Sequence, residues 1–384
     1  MTELHQKYAP ILRYNKGEQF FPMRADDLLK YSSLYAKGND KPLVPEGKVA
    51  PADLVKHGGS AETFVRTITA GPLTGENVVD AWGSDTLEMV LRWADESTPN
   101  WTSDLAQSAY SWFSAKTQQA AQLFWWNDMV SNVVKGEVES VSAGELPRLV
   151  LPVETQNSAI QRYKTASPGY AYYYREVKDG NYLCLQYWFF YAYNNWGRGF
   201  MGLNDHEGDW ECMLLFFELD GGHPKEPPAY VTYADHESRQ TKPWHEAQKT
   251  GNHPIGFVGA GSHATYPKAE THTLMAAYNL VDRATGDGVT IDHDDWAHRV
   301  NLDDASWLGS YKGSWGTRFW LSTSKAKAAL QIALAATPLA GIVGLTVTSR
   351  EVELPGVSAP RGPVNPHRAQ YATPVEWAGV PLKE

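Results

Sequence analysis

The sequence predicts an α+β protein that is mainly an antiparallel β-sandwich, with a helical subdomain inserted into it or preceding it. After Pro147, aromatic or β-branched runs are separated by Gly, Pro and Asp turns, as in sandwich strands. Residues 182–193 are apolar on both predicted faces, as is the run after Asp209, which favours central strands covered on both sides. Residues 102–134 contain no proline or glycine and carry apolar side chains at helical spacing.

The N-terminal region, residues 1–84, is expected to contribute a strand and loops to the sandwich. Residues 9–14 predict the strand, and residues 26–29 predict the start of a helix. Residues 37–59 are rich in Gly, Pro and Lys and are therefore expected to form a loop.

The helical subdomain is expected over residues 85–136. Asp85 followed by Glu88 is a capping signal for a helix start. Further along, Leu123 and Trp126 belong to one apolar stripe at helical spacing.

The sandwich core is expected over residues 147–320, and residues 321–384 are expected to form a helix or strand followed by a proline-rich strap. Residues 328–348 carry no charge and are strongly apolar. Pro338 interrupts this stretch, which favours a buried helix and then a strand, but membrane contact through residues 328–348 stays open. The core strands are predicted at residues 149–151, 170–174, 182–193, 209–219, 229–234 and 255–258.

The composition narrows the class of partner. The formal net charge is -10 and Lys and Arg are not clustered, which argues against a nucleic-acid partner. The N-terminus has no apolar core of signal-peptide length, so a cytoplasmic location is expected, with non-classical export left open. Cys184 and Cys212 are the only cysteines, so one disulfide is conceivable, although reduced buried thiols are favoured.

Residues 204–211 place four carboxylates and one histidine in an eight-residue stretch directly before an apolar run. In a strand, Asp209 and Glu211 share one face and lie about 6–7 Å apart. His206 can fold back across the flexible Gly208 to join them. Two carboxylates this close require a cation, a shared proton or exposure to solvent.

Carboxylate oxygens with one imidazole suit Mg²⁺, Mn²⁺ or Ca²⁺ better than a structural zinc ion. Glu207 is expected to point away from Asp209 and Glu211. Its role is left open between a general base, a residue that supports the ligands and a surface residue. An acidic strand edge without metal is the alternative. A zinc-protease helix is excluded because Gly208 disfavours helix after His206, and the dinucleotide fingerprint at residues 259–264 fails because Pro267 precedes any helix.

Motifs at residues 187–194, 206–211, 233–236, 243–244 and 261–267 resemble, in order and spacing, the vacuolar-protein-sorting-62-like family. The resemblance spans most of the chain and is weakest over the helical subdomain and residues 321–350. The biochemistry of that family is largely unassigned, so the resemblance alone implies no activity.

The motif with a histidine three residues before Asp-Trp-Glu also resembles, more distantly, the core motif of the necrosis-inducing, cytolysin-like proteins. That similarity implies a cytolysin-like sandwich, with a jelly roll as the alternative. It implies that His206, Asp209 and Glu211 ligate a divalent cation that engages a sphingolipid head group. Asn194 stands where that family has a further aspartate ligand and is expected to bind through its carbonyl oxygen with less charge, which leaves Asp205 as another candidate.

The same resemblances imply that His236 lies near the cation and that His263 belongs to a Gly-Ser-His-Ala pattern. Both are candidate catalytic residues, and a structural, hydrogen-bonded role is the alternative for each.

Three functions are compatible with these residues. In a cation-dependent enzyme, the metal polarises a substrate oxygen while His236, His263 or Glu207 moves the proton. In a membrane-active or binding protein, the cation bridges a lipid head group or a glycan. In a glycoside hydrolase, Asp209 and Glu211 act as the carboxylate pair without metal. The expected partner is a small molecule, a glycan or a lipid head group, and no residue names a substrate.

Overall fold

The computed structural model describes residues 3–37, 39, 41–67, 169–194, 206–235, 238–275, 280–316, 319–321, 357–359 and 366–381. Within these residues the fold is α+β, with mixed and antiparallel sheets and a few short helices, as the sequence predicts. The helical subdomain predicted at 85–136, the strand at 149–151 and the apolar stretch 328–348 lie outside the described residues.

The larger sheet is antiparallel through its centre, and its first two strands pair in parallel. All residues of the strand Tyr182–Asn194 are buried, which confirms the prediction of a central strand covered on both faces. In spatial order the strands are β16 (Trp296–Asn301), β4 (Tyr170–Asp179), β5 (Tyr182–Asn194), β6 (His206–Asp220), β8 (Tyr230–Asp235) and β9 (Ser238–Pro243), with β7 (His223–Pro224) paired to β6.

The second sheet packs face to face with the larger one. Its strands, in spatial order, are β10 (Lys249–Thr250), β11 (His253–Val258), β1 (Ile11–Arg13) and β15 (Thr290–Ile291), with β12 (Thr265–Tyr266) paired to β11. Leu12 and Val258 of this sheet share one buried cluster with Phe189 and Met213 of the larger sheet. The two sheets therefore form the sandwich, and the strands predicted at 9–14 and 255–258 belong to its second layer.

The opposite face of the larger sheet is covered by a third layer of helices and a small sheet. Trp188, Trp210 and Phe216 belong to the apolar cluster on this face. The elements of this layer are α2 (Ala25–Leu29), β2 (Ser33–Ala36), α3 (Pro51–His57), β3 (Thr63–Arg66), α4 (Ser306–Ser310), β17 (Ser314–Trp315) and α5 (Pro374–Ala378). The remaining elements are α1 (Leu4–Lys7), the hairpin of β13 (Glu270–Met275) and β14 (Leu280–Ala284), and the pair of β18 (Phe319–Leu321) and β19 (Val357–Ala359).

Two regions differ from the sequence prediction. The loop expected over residues 37–59 contains α3, which starts at Pro51 and buries Leu54. Residues 366–381 pack on the larger sheet, as predicted for the strap, and the centroids of the Tyr371 and Trp188 rings are 4.5 Å apart. The helix α5, however, replaces part of the extended chain that was expected there. Both helices are short, so each offers too few positions for a helical period to be recognised.

Cys184 and Cys212 are both free and buried, as favoured from the sequence. They lie on neighbouring strands, but the register pairs Cys184 with Phe216 and Cys212 with Trp188. Among the described residues, no helix is both long and apolar enough to cross a membrane.

Candidate functional site

The candidate site lies where β5 and β6 meet at the end of their ladder, and Gly208 sets its geometry. Asn194 pairs with His206 and Tyr191 with Asp209 across the two strands. In a regular strand, residues three apart point to opposite faces. Gly208 has a φ of 62°, a left-handed conformation open to glycine, and His206 Nε2 lies 4.0 Å from Asp209 Oδ1. The structure thus brings His206 back across Gly208 to Asp209.

A second feature also requires glycine at this position. A Cβ added to Gly208 would lie 2.5 Å from the Cβ of Trp315 and 2.7 Å from its Cγ. The indole therefore packs against the bare backbone of β6 and fixes the distortion from the third layer.

The tautomer of His206 is set by the backbone. Its Nδ1 lies 3.0 Å from the carbonyl oxygen of Gly208, which can only accept, so Nδ1 carries the proton. Burial lowers the pKa of His206 and outweighs the opposing attraction of Asp209, so the ring is neutral near pH 7. Nε2 therefore presents a lone pair towards Asp209 Oδ1, and two acceptors face each other across 4.0 Å.

Asp209 is held through its other oxygen. Oδ2 accepts hydrogen bonds from Asn194 Nδ2 at 2.9 Å and from His263 Nδ1 at 3.1 Å. Burial by itself raises the pKa of Asp209, but the hydrogen bond from His263 and the charges nearby bring it below its usual value. The carboxylate is therefore ionised and keeps Oδ1 directed to His206.

Asn194 connects Asp209 to the loop that carries His263. Its amide nitrogen donates both to Asp209 Oδ2 and to the carbonyl oxygen of Ser262, at 2.9 and 3.1 Å. Because both partners accept, the nitrogen and not the carbonyl oxygen must face them. Asn194 thus anchors Asp209 to the loop before His263 through its amide nitrogen, and the prediction that its carbonyl oxygen binds a cation stays a prediction.

His263 is a fully buried, charged histidine. Its ring stacks on that of Tyr191, with centroids 3.9 Å apart and an interplanar angle of 3°. Burial lowers its pKa, but the hydrogen bond to Asp209 and the charge of Glu18, 3.7 Å from Nε2, outweigh this and raise the pKa to about 9. The ring is therefore an imidazolium at neutral pH, flanked by two carboxylates.

Glu18 is a site residue that no pattern in the sequence indicates. Burial raises its pKa, but His263 and backbone N–H donors bring the pKa below its usual value, so the carboxylate is ionised. Only the folding of the segment after β1 against the loop after β11 brings residue 18 to residue 263, and no local pattern in the sequence records that contact.

Glu207 lies on the other face of β6. Its Oε1 accepts hydrogen bonds from Thr67 N at 2.8 Å and from Thr67 Oγ1 at 3.0 Å. The carboxylate is buried, with 5% of the residue exposed. The interpretation of Glu207 as a surface residue is therefore wrong. A role as general base beside Asp209 is disfavoured, because the turn at Gly208 directs Glu207 into the third layer.

Glu211 follows Asp209 by two residues and shares its face of β6. Burial is the main cause that raises the pKa of Tyr191, and the charges of Glu211 and Asp209 raise it further. His236 lies outside the described residues.

Within the described part of the chain, no group of three or more His, Cys, Asp or Glu side chains is arranged to hold a metal ion. His206 Nε2 and Asp209 Oδ1 are two atoms with lone pairs that face each other.

Comparison with protein-family models gives no match, and comparison with curated proteins gives none either. The likeness to the vacuolar-protein-sorting-62-like family therefore stays a prediction. Among solved structures, the chain is similar to the crystal structure of Necrosis and Ethylene inducing Protein 2 from the causal agent of cocoa's Witches Broom disease. The identity is 12%, the match covers 44% of this chain and 68% of that chain, and the TM-score is 0.25, which supports no inference about the site.

Proposed function

We propose that this protein binds a divalent cation between His206 and Asp209 and uses the ion to hold an oxygen-bearing ligand. The supporting observation is the pair of opposed acceptors, His206 Nε2 and Asp209 Oδ1, at 4.0 Å. The ligand atoms of proteins lie about 2.0–2.6 Å from such ions, so one cation between these two atoms can bind both. The Nδ1–H···O=C contact of His206 is the kind of support that histidine ligands of metals typically have.

The local charge supports the same proposal. Asp209 and Glu18 both have lowered pKa values and are ionised, whereas His263 contributes one positive charge. One negative charge is left over, and Glu211 adds to it when ionised. A cation at Asp209 Oδ1 would balance this excess in a buried setting, where unbalanced charge is unfavourable.

Of the three ions expected from the sequence, Mg²⁺, Mn²⁺ and Ca²⁺, the site favours Mn²⁺. All three ions take carboxylate and water ligands, and Mn²⁺ is the one transition metal among them, so it is the one expected to accept the imidazole nitrogen as well. Glu211 and water are the proposed sources of further ligands, together with an oxygen of a small molecule, a glycan or a lipid head group.

Binding is favoured over acid–base catalysis by the described residues. His263 is fully buried between two carboxylates, and Glu207 lies on the opposite face of β6. If the protein is instead a metal-assisted enzyme, His236 is the residue left to move a proton. In the glycoside-hydrolase alternative, the lowered pKa of Asp209 suits the ionised carboxylate of the pair and leaves the role of general acid to Glu211.

The test is cation binding to chelator-treated protein, measured by calorimetry and by the Mn²⁺ paramagnetic resonance signal. The wild type is expected to bind one Mn²⁺ with at least about tenfold greater affinity than Asp209→Asn and His206→Ala, because each variant loses a donor. His367→Ala is the control: this half-buried histidine lies 3.3 Å from Arg175 Nη1, whose charge repels cations, and its loss should leave Mn²⁺ affinity unchanged. Equal affinity in all four proteins would contradict the proposal.

A further inference from the structure

The buried carboxylate of Glu18 is anchored independently of the cation site. Its Oε1 accepts the backbone N–H groups of Gln19 and Phe20 at 2.8 and 3.1 Å. Its Oε2 accepts the N–H of Gly261 at 2.9 Å. Three backbone donors fix this carboxylate, so its place does not depend on the imidazole that it faces.

His263 stands between Glu18 and Asp209 in a conformation that few residues other than glycine adopt. Its φ is 60°, and the loop that carries it is closed by hydrogen bonds from His263 N to Gly259 O and from Gly259 N to Ala264 O. Nδ1 lies 3.1 Å from Asp209 Oδ2, and Nε2 lies 3.7 Å from Glu18 Oε1. Stacking on Tyr191 fixes the plane of the ring, so the direction of both N–H groups is set.

The loop therefore holds one particular oxygen of Asp209. Asn194, itself bonded to Ser262 O, and His263 both donate to Oδ2. Oδ1 accepts from neither of these two donors and faces His206 Nε2. Rotation of the carboxylate would break both hydrogen bonds at a buried position, which is strongly unfavourable.

We propose that His263 and Glu18 are positioning residues that make Asp209 a one-oxygen ligand and thereby select the cation. This inference rests on the proposed cation site. With Oδ2 held by the loop, Asp209 offers Oδ1 alone, which suits a small ion with few ligands in fixed geometry. Ca²⁺ takes six to eight oxygens and often binds both oxygens of a carboxylate, so this arrangement discriminates against it. The selected class is a small divalent transition metal such as Mn²⁺.

The test compares Mn²⁺ and Ca²⁺ dissociation constants in chelator-treated full-length protein. Glu18→Gln removes the charge that faces His263, and His263→Asn removes the ring while keeping a residue type that tolerates this backbone conformation. Both are expected to weaken Mn²⁺ binding about 10–100-fold, the usual range for residues that orient ligands. Because a released Asp209 can bind Ca²⁺ through both oxygens, the preference for Mn²⁺ over Ca²⁺ should fall in both variants.

The matched control is Asp282→Asn. Asp282 is a buried carboxylate that holds the same loop from another side, accepting hydrogen bonds from Ser262 Oγ at 2.6 Å and Tyr266 OH at 2.9 Å. Its replacement should lower stability while leaving the ratio of the two dissociation constants unchanged.

The possible results distinguish failure of the positioning role from failure of the proposed cation site. If Glu18→Gln and His263→Asn change stability but leave both dissociation constants of the folded protein at wild-type values, the positioning role is overturned and the cation site stands. If the Asp282→Asn control shifts the ratio as much as they do, the effect belongs to the loop as a whole and the positioning role is again overturned. Failure of the wild type to bind Mn²⁺ would remove both proposals.

Discussion

At the scale of single residues, Gly208 decides which side chains meet. Its left-handed backbone conformation reverses the alternation of β6, so that His206 and Asp209 share a face and Glu207 turns to the third layer. The indole of Trp315 occupies the space that a side chain at position 208 would need. The approach of His206 to Asp209 and the burial of Glu207 are therefore consequences of one glycine.

Gly208→Ala should destabilise the protein by about 2–5 kcal/mol, because it adds a left-handed backbone penalty to a clash with Trp315. The control is Gly221→Ala: Gly221 has a similar φ of 58°, but an added Cβ would meet no heavy atom of the described residues within 4 Å. Only the backbone penalty, about 1–2 kcal/mol, is expected there. Urea unfolding measures both, and equal losses would show that Trp315 does not restrict position 208.

His263 should make the stability of the metal-free protein depend on pH. Its pKa is raised from 6.5 to about 9, so its stabilisation is fully present below pH 6.5 and is lost as pH rises through 9. The loss is on the order of 3 kcal/mol. Urea unfolding in chelator should show the wild type losing its advantage over His263→Asn across this window. A difference between the two proteins that stays constant from pH 6 to pH 10 would contradict the charged state of His263.

At the scale of elements, a buried acid in the short helix α2 bonds to the residues that flank both ends of the helix. Asp27, whose side chain is 1% exposed, accepts hydrogen bonds from Arg24 Nε and Nη2 at 2.9 Å each and from Lys30 Nζ at 2.7 Å. Burial raises the pKa of Asp27, but these two cations more than offset it and lower the pKa. The neighbouring Asp26 has a raised pKa, chiefly because burial disfavours its charge.

Asp27→Asn should therefore destabilise the protein at pH 7 by about 1–3 kcal/mol, whereas Asp26→Asn should be neutral or stabilising. Because the folded pKa of Asp27 lies below 3.8, its contribution is present above that pH and disappears as pH falls through the folded value. Unfolding curves at pH 7 and pH 3 measure the difference. Loss of stability in Asp26→Asn equal to that in Asp27→Asn would contradict this assignment.

At the scale of the whole molecule, the parts that were predictable follow from local patterns. Continuous apolar runs predict β5 and β6 as central strands. Gly208, two residues after His206, predicts that this histidine can reach Asp209. The third layer and Glu18 were not predictable. The position of Glu18 depends on the parallel pairing of β1 with β11, and the third layer depends on the parallel pairing of β3 with β17. Contacts between segments this distant leave no periodic signal in either segment. The donor atom of Asn194 likewise depends on Ser262, a residue 68 positions away.

The most direct test of the cation site is a crystal structure of the protein grown with Mn²⁺, with anomalous diffraction used to locate the ion. We expect one strong anomalous peak beside the N-terminal end of β6, within about 2.0–2.6 Å of both His206 Nε2 and Asp209 Oδ1. The peak should be absent from Asp209→Asn crystals grown in the same way. A wild-type map with no peak between these two atoms, or with the ion bound only elsewhere, would contradict the account.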